Sequence, residues 1–343
     1  MKLGRIKGMP CEVQLADDVL NHSILITGIS GAGKTYAMKL LEKNIIEQGG
    51  TVLVLNYNGT HNNHVLMERV RYINVFRDGL PLNIFTLIEK PDGTFESEDD
   101  MIESVLDTFC CVSELGVRQR GRLRKLIQEA VKLKNENNDD LQSLGTVFRE
   151  SEDKVAESVY EHFYQLFTKV RINKSDDLIK KAKINVLDLT GFSIGTQQFL
   201  AEIVMAIVWR YYRLWGQSIK EILHIACDEF QVLNIREHSV ITQILREGRK
   251  HHVAMLLATQ TLETFCKMER AVLFQAATQL YFQPAPSEIK SILRYLNVED
   301  TKKIHTLLKE LKRGECIANG RFLVGGKIIE RPLGISFWEE VRS

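Results

Sequence analysis

At 343 residues the chain exceeds one average domain, yet one large core carrying an insertion accounts for it, and 44% hydrophobic with 26% charged residues are ordinary values for a soluble globular protein. A net charge of +1 excludes a global field for nucleic acid, so any such contact has to come from local clusters of Lys and Arg, for instance around the lumen of an oligomer. The six cysteines form no C-x-x-C pair and have no histidine at zinc-ligand spacing. With no apolar core for a signal peptide and no run near the roughly 18 apolar residues of a membrane span, the expectation is a soluble, cytoplasmic protein with reduced thiols.

Residues 1–20 alternate well enough for a small lead-in strand or hairpin beside the loop that follows. Ile24-Leu25-Ile26-Thr27 then reads as a strand, and residues 36–41 carry apolar side chains at helical spacing. Between them Gly28-Ile29-Ser30-Gly31-Ala32-Gly33-Lys34-Thr35 satisfies G-x-x-x-x-G-K-[ST] at every fixed position. Glycines let successive backbone N–H groups turn toward phosphate oxygens at a helix N-terminus, where the dipole favours an anion. The candidate ATP site is therefore Gly28, Ile29, Ser30, Gly31, Ala32, Gly33, Lys34, Thr35 and Tyr36, with Lys34 reaching the β/γ-phosphates and the Thr35 hydroxyl holding Mg²⁺. A glycine-rich turn that caps a helix and binds nothing is the competing reading; the strand–loop–helix context argues against it.

Gly49-Gly50 stops that helix and residues 51–55 form a buried parallel strand. It ends in the polar, turn-prone Asn56-Tyr57-Asn58-Gly59-Thr60-His61, where open α/β sheets place ligand-facing loops. Pro81-Leu82-Asn83-Ile84-Phe85 leads out of the core. Residues 96–183 carry helical rather than strand periodicity, at 101–109, 120–134 and 154–170, with a polar hinge at 134–140. Arg118, Arg120, Arg122, Arg124 and Lys125 within them suit either a phosphate backbone or a solvated helix face, the second being preferred for a charge run in mixed surroundings.

Strands resume at 184–189, followed by an amphipathic helix over 197–214, and an apolar run from 222 ends in Asp228-Glu229. Beside a P-loop that pair has a direct meaning: Asp228 completes the Mg²⁺ site with Thr35, and Glu229 polarises the attacking water. A helix over 239–250 and a strand over 253–258 lead to Thr259-Gln260-Thr261, where a polar side chain could sit between the metal site and the γ-phosphate. Arg246, Arg249, Lys250, His251 and His252 cluster at the end of that helix. Either they complement the negative end of its dipole, or Arg249 or Arg246 crosses a subunit interface as an arginine finger; spacing leaves both open. A strand at 279–283, helices at 287–296 and 300–311, and a hairpin joining 314–318 to 321–324 through Asn319-Gly320 complete the chain.

These elements predict an α/β P-loop NTPase of RecA/ASCE type: a mostly parallel sheet flanked by helices, with a core at 21–95 and 184–343, a helical insertion at 96–183 and a lead-in at 1–20. Gly28 to Thr35, Asp228-Glu229, Arg246-Glu247-Gly248-Arg249-Lys250, Ala258-Thr259-Gln260 and Leu311-Lys312-Arg313-Gly314-Glu315 together resemble the HerA/FtsK superfamily of ring-forming DNA-translocating ATPases, and HerA most. Residues 81–85 resemble that family's P-L-N-P-F turn.

The resemblance implies a hexamer with ATP at the subunit interfaces, Gln260 as sensor, an arginine supplied in trans, double-stranded DNA as partner and a coupled nuclease or other effector. Two departures bear on this. Asn56 and Thr60 stand where the family often has an acidic D-x-x-G-E, which implies slow turnover. The family's N-terminal β-barrel has no counterpart beyond residues 1–20, which weakens docking of a partner through it. Two functions follow: a DNA motor, or an ATP-dependent hexameric scaffold or switch that assembles and regulates a partner protein.

Overall fold

Short aliphatic runs with no polar alternation build the centre of the molecule, because strands covered on both faces have no reason to alternate. The computed structural model describes residues 1–16, 18–62, 67–113, 115–137, 140–173, 177–216, 218–236, 239–298 and 300–337. The chain opens with β1 (Lys2–Ile6) and β2 (Glu12–Leu15), then β3 (Ile24–Thr27) enters the glycine-rich loop and α1 (Lys34–Glu47). Next come β4 (Thr51–Asn56), β5 (Val70–Asn74) and the single-turn α2 (Val75–Asp78). Helices α3 (Glu98–Ser113), α4 (Val117–Asn137), α5 (Asp140–Glu150), α6 (Lys154–His162) and α7 (Tyr164–Lys169) precede β6 (Ile184–Asp188). The chain continues through α8 (Ile194–Trp215), β7 (Leu223–Asp228), α9 (Val240–Glu247), β8 (Val253–Thr259), α10 (Lys267–Leu273) and β9 (Thr278–Phe282). It ends with α11 (Ile289–Leu296), α12 (Thr301–Lys309), β10 (Glu315–Asn319), β11 (Phe322–Val324), β12 (Lys327–Ile329) and β13 (Leu333–Ser336).

Among the described residues these strands form one sheet in the order β12-β11-β2-β1-β13-β10-β9-β3-β8-β7-β4-β6-β5. From β9 to β5 every neighbouring pair is parallel; from β10 to β12 every pair is antiparallel. The lead-in strands thus extend the same sheet as an antiparallel wing. The two-residue period divides the central side chains between its faces. Leu25, Leu53, Leu55, Ile225 and Leu257 join one buried cluster with α3 and α8, while Ile24, Ile26, Val52, Val54 and Leu256 join another with α1. The 98–169 helices share the first cluster rather than enclosing a core of their own: Phe109 meets Phe148 and Phe163 edge-on and lies 4.5 Å, centroid to centroid, from Phe199 of α8.

Several expectations are corrected. Asn319-Gly320 does not close a hairpin, because β10 is already paired on both edges, with β9 and β13, and β11 crosses to pair with β2. The hairpin at this end joins β11 to β12 through Gly325 and Gly326, at φ 54° and 78°. The helix expected over 154–170 breaks at Phe163, whose ring is fully buried against Phe109 and Phe199. Residues 138–139 of the expected hinge lie outside the described residues, and α4 continues to Asn137. Three of the five cations in the basic run on α4 pair within the chain, Arg120 with Glu103 and Asp107, Arg124 with Glu103 and Arg122 with Asp153, in keeping with a solvated face.

Candidate nucleotide site

Because β3, β8 and β7 are adjacent and parallel, with Thr27 level with Thr259 and Asp228 level with Ala258, their C-terminal ends open on one edge of the sheet. That is where open α/β sheets bind ligands. The loop after β3 wraps toward α1 through Gly28 and Gly33, at φ 148° and 107°. A Cβ at Gly28 would lie 2.7 Å from Phe282 Cβ, and one at Gly33 2.9 Å from the Gly314 nitrogen, so each glycine permits both the turn and a close approach. The Ile29 N–H donates to the Gln283 carbonyl at 2.9 Å and the Gly314 N–H to the Ala32 carbonyl at 2.8 Å. Ser30 and Gly31 are exposed, and Ile29 and Tyr36 half-buried.

Lys34 is buried and donates to the Gly28 carbonyl at 2.7 Å and the Ile29 carbonyl at 3.0 Å. Burial pushes its pKa down, opposed by the carboxylates of Glu229 and Asp228. The Thr35 hydroxyl donates to Asp228 Oδ2 at 2.6 Å. Burial pushes the Asp228 pKa up, against the Thr35 hydrogen bond and the nearby His61. A hydroxyl and a carboxylate oxygen in contact at the foot of a phosphate cradle are the hard oxygen donors that Mg²⁺ takes, so these residues fit Mg²⁺ with a nucleotide.

Glu229 follows in a left-handed conformation, φ 58°, at the start of a 3-10 turn over Phe230–Val232. Its N–H donates to Asp228 Oδ1 at 3.1 Å, and its Oε1 accepts from Gln260 Nε2 at 2.9 Å. Lys34, Thr35, Asp228, Glu229 and Gln260 therefore converge. Arg246 and Arg249 do not join them. Both are exposed at the other end of β8, Arg249 donating to the Leu20 carbonyl at 3.3 Å, and a strand the length of β8 sets them about 20 Å from their own phosphate loop.

Asn56, at the end of β4, is engaged with its own layer: its amide donates to Asp188 Oδ1 at 3.3 Å and to Asn62 Oδ1 at 3.2 Å. Asp188 also accepts from Tyr72 and Asn74. His61 and Glu42 make a fully buried 3.0 Å contact that ties this loop to α1. The sequence singles out the Asn56 to His61 stretch, but not its partners Asp188, Tyr72, Asn74 and Glu42, nor Gln231, which donates to Glu229 Oε2. Gln231 lies two positions past Glu229, and a polar residue that close to a candidate base was the available signal.

A family model described as an AAA-like domain matches residues 17–328. The DNA double-strand break repair helicase HerA of Sulfolobus acidocaldarius is 24% identical, covering 97% of this chain and 68% of that protein, and its namesake from Sulfurisphaera tokodaii is 21% identical with the same coverage. Among solved structures, VirB4 of Thermoanaerobacter pseudethanolicus superposes with a TM-score of 0.72 at 16% identity, over 99% of this chain and 96% of that one. The bacterial conjugative coupling protein TrwBdeltaN70 gives 0.69 at 12% identity, over 100% and 90%. On a family match that spans nearly the whole chain and the relatives that accompany it, the protein belongs to the AAA-like domain family, within the HerA/FtsK superfamily of P-loop ATPases.

Proposed function

We propose that the protein is an ATP-driven translocase on double-stranded DNA, working as a hexameric ring with each ATP bound between neighbouring subunits. The observation that carries this reading is the convergence of Lys34, Thr35, Asp228, Glu229 and Gln260 on one sheet edge while Arg246 and Arg249 stand at the other. An arginine some 20 Å from its own site is out of reach of that nucleotide, so a role in hydrolysis would be on a neighbour's, as a ring arranges. The relatives support it: two are named as DNA double-strand break repair helicases, and TrwB has been solved with ADP and Mg²⁺.

Bound ATP with Mg²⁺ would supply an electrophilic γ-phosphoryl group. The chain's own residues then have distinct tasks. Lys34 exchanges the carbonyls of Gly28 and Ile29 for phosphate oxygens, and Thr35 and Asp228 hold the cation. Glu229 accepts the proton of the attacking water, Gln260 contacts the γ-phosphate, and Arg249 or Arg246 of a neighbour offsets charge in the transition state. Asn56, bonded to Asp188 and Asn62, supplies no further carboxylate, in line with slow turnover.

ATP turnover measured with and without duplex DNA tests the motor reading. Stimulation by duplex is the expected result. Turnover indifferent to DNA, but raised by a partner protein, would replace it with the scaffold reading that the near-neutral charge and the Asn56 substitution favour.

A further inference from the structure

The carboxylate of Glu229 is bracketed by two amides. Gln260 Nε2 donates to Oε1 at 2.9 Å, and Gln231 Nε2 donates to Oε2. Gln231 is itself held: its Oε1 accepts from the Thr259 hydroxyl at 3.0 Å. A carboxylate only accepts, so the Gln231 amide turns its nitrogen toward Glu229 and its oxygen toward the Thr259 hydroxyl, whose one proton is also within reach of the Thr261 carbonyl, 3.2 Å from the hydroxyl oxygen. Thr259 and Gln260 are consecutive at the end of β8, between the strand that feeds the phosphate loop and the strand that ends in Asp228. Glu229 therefore hangs from the end of β8 on two parallel connections, one direct and one through Gln231. Its left-handed backbone, uncommon outside glycine, starts the turn that brings Gln231 back over its side chain.

We propose that Gln231 is a positioning residue for ATP hydrolysis: its amide keeps the Glu229 carboxylate aimed at the attacking water when Gln260 turns to the γ-phosphate. The inference rests on the hydrolytic role of Glu229 proposed above. The Gln260 amide has two N–H donors in one plane, so reaching a phosphate oxygen means re-aiming the group that holds Glu229 Oε1, whereas Gln231 does not have to move and is the standing connection. A general base must sit within about 2.6–3.2 Å of the proton it takes, and a displacement of about 1 Å can cost a hundredfold. The Gln231 side chain is exposed, so its removal takes little packing from the core.

The test compares Gln231→Ala and Gln231→Glu in the full chain, the second keeping size while removing the donor. Steady-state ATP hydrolysis, equilibrium ATP binding and thermal unfolding are read side by side, with Glu229→Gln as reference. Both substitutions should lower kcat by about 10- to 100-fold while KM for ATP stays within about twofold and the unfolding midpoint is unchanged. Thr259→Val should lower kcat in the same direction and add little on top of Gln231→Ala, since both cut one connection. An unchanged or raised kcat in the Gln231 variants, a loss carried by KM, or full additivity with Thr259→Val would overturn the proposal. If Glu229→Gln is inactive and the Gln231 variants are not impaired, only the Gln231 assignment falls. If Glu229→Gln itself turns over like wild type, the hydrolytic role of Glu229 falls and takes Gln231 with it.

Discussion

The Thr35 hydroxyl, on the first turn of α1, donates to Asp228 Oδ2 at 2.6 Å across 193 positions of sequence. The fold thus brings two oxygen donors suited to one hard cation into direct contact. Replacing either should weaken Mg²⁺ more than nucleotide. Asp228→Asn and Thr35→Ala are expected to raise the Mg²⁺ concentration for half-maximal turnover on the order of tenfold or more, while Thr35→Ser, which keeps the hydroxyl, stays near wild type. A Mg²⁺ titration of ATP turnover checks this; an unchanged midpoint in Asp228→Asn would remove that residue from the metal site.

Lys34 and Glu229 should separate binding from chemistry. Lys34→Ala deletes the buried cation of the phosphate loop and should abolish ATP binding. Glu229→Gln keeps the shape and removes the base, so binding should persist while hydrolysis falls by at least about a hundredfold. An equilibrium binding assay in which both variants hold ATP like wild type would undo the role given to Lys34.

Glu202 of α8, buried under the turn that follows Glu229, accepts the Asn234 N–H at 2.9 Å, and burial pushes its pKa up to about 7. For a carboxyl whose folded value is raised, the native state loses stability as pH rises from the unfolded value through about 7, and the penalty is complete above that. Glu202→Gln keeps an acceptor for Asn234 and removes the penalty. Its unfolding midpoint should exceed that of wild type near pH 8, by a few kcal/mol of stability at most, with a much smaller gain near pH 5. An equal gain at both pH values would show that ionisation is not the cause.

The parallel core was legible because a strand buried on both faces carries its own signature: Ile24-Leu25-Ile26 and Val52-Leu53-Val54-Leu55 admit no polar residue. The antiparallel wing was legible only in part: strands within 1–20 and at 314–318 and 321–324 are found, but β10, β11 and β13 draw their pairing from distant partners. Asn319-Gly320 is a strong local turn signal, yet the edge it would use on β10 is taken by β13, and no local rule weighs that competition. At the candidate site, residues tied to a fixed motif could be named in advance. Gln231, Asp188 and the Glu42–His61 contact act through neighbours far away in sequence or through a turn whose geometry only folding reveals.

Arg249 separates the composite-site account from a structural one. Complementing a helix end is worth at most about 2 kcal/mol of stability, whereas an arginine finger is worth on the order of a thousandfold or more in turnover. The most direct test is ATP turnover of a mixture of Lys34→Ala and Arg249→Ala subunits, with subunit exchange verified. Each parent should be inactive, Arg249→Ala should fold and bind ATP normally, and the mixture should regain activity, because some interfaces then place an intact phosphate loop against an intact arginine. Rescue by Arg246→Ala instead would move the role by one helical turn and leave the composite site standing. A mixture that exchanges subunits and stays as inactive as its parents, for both arginines, would contradict a site shared between neighbours.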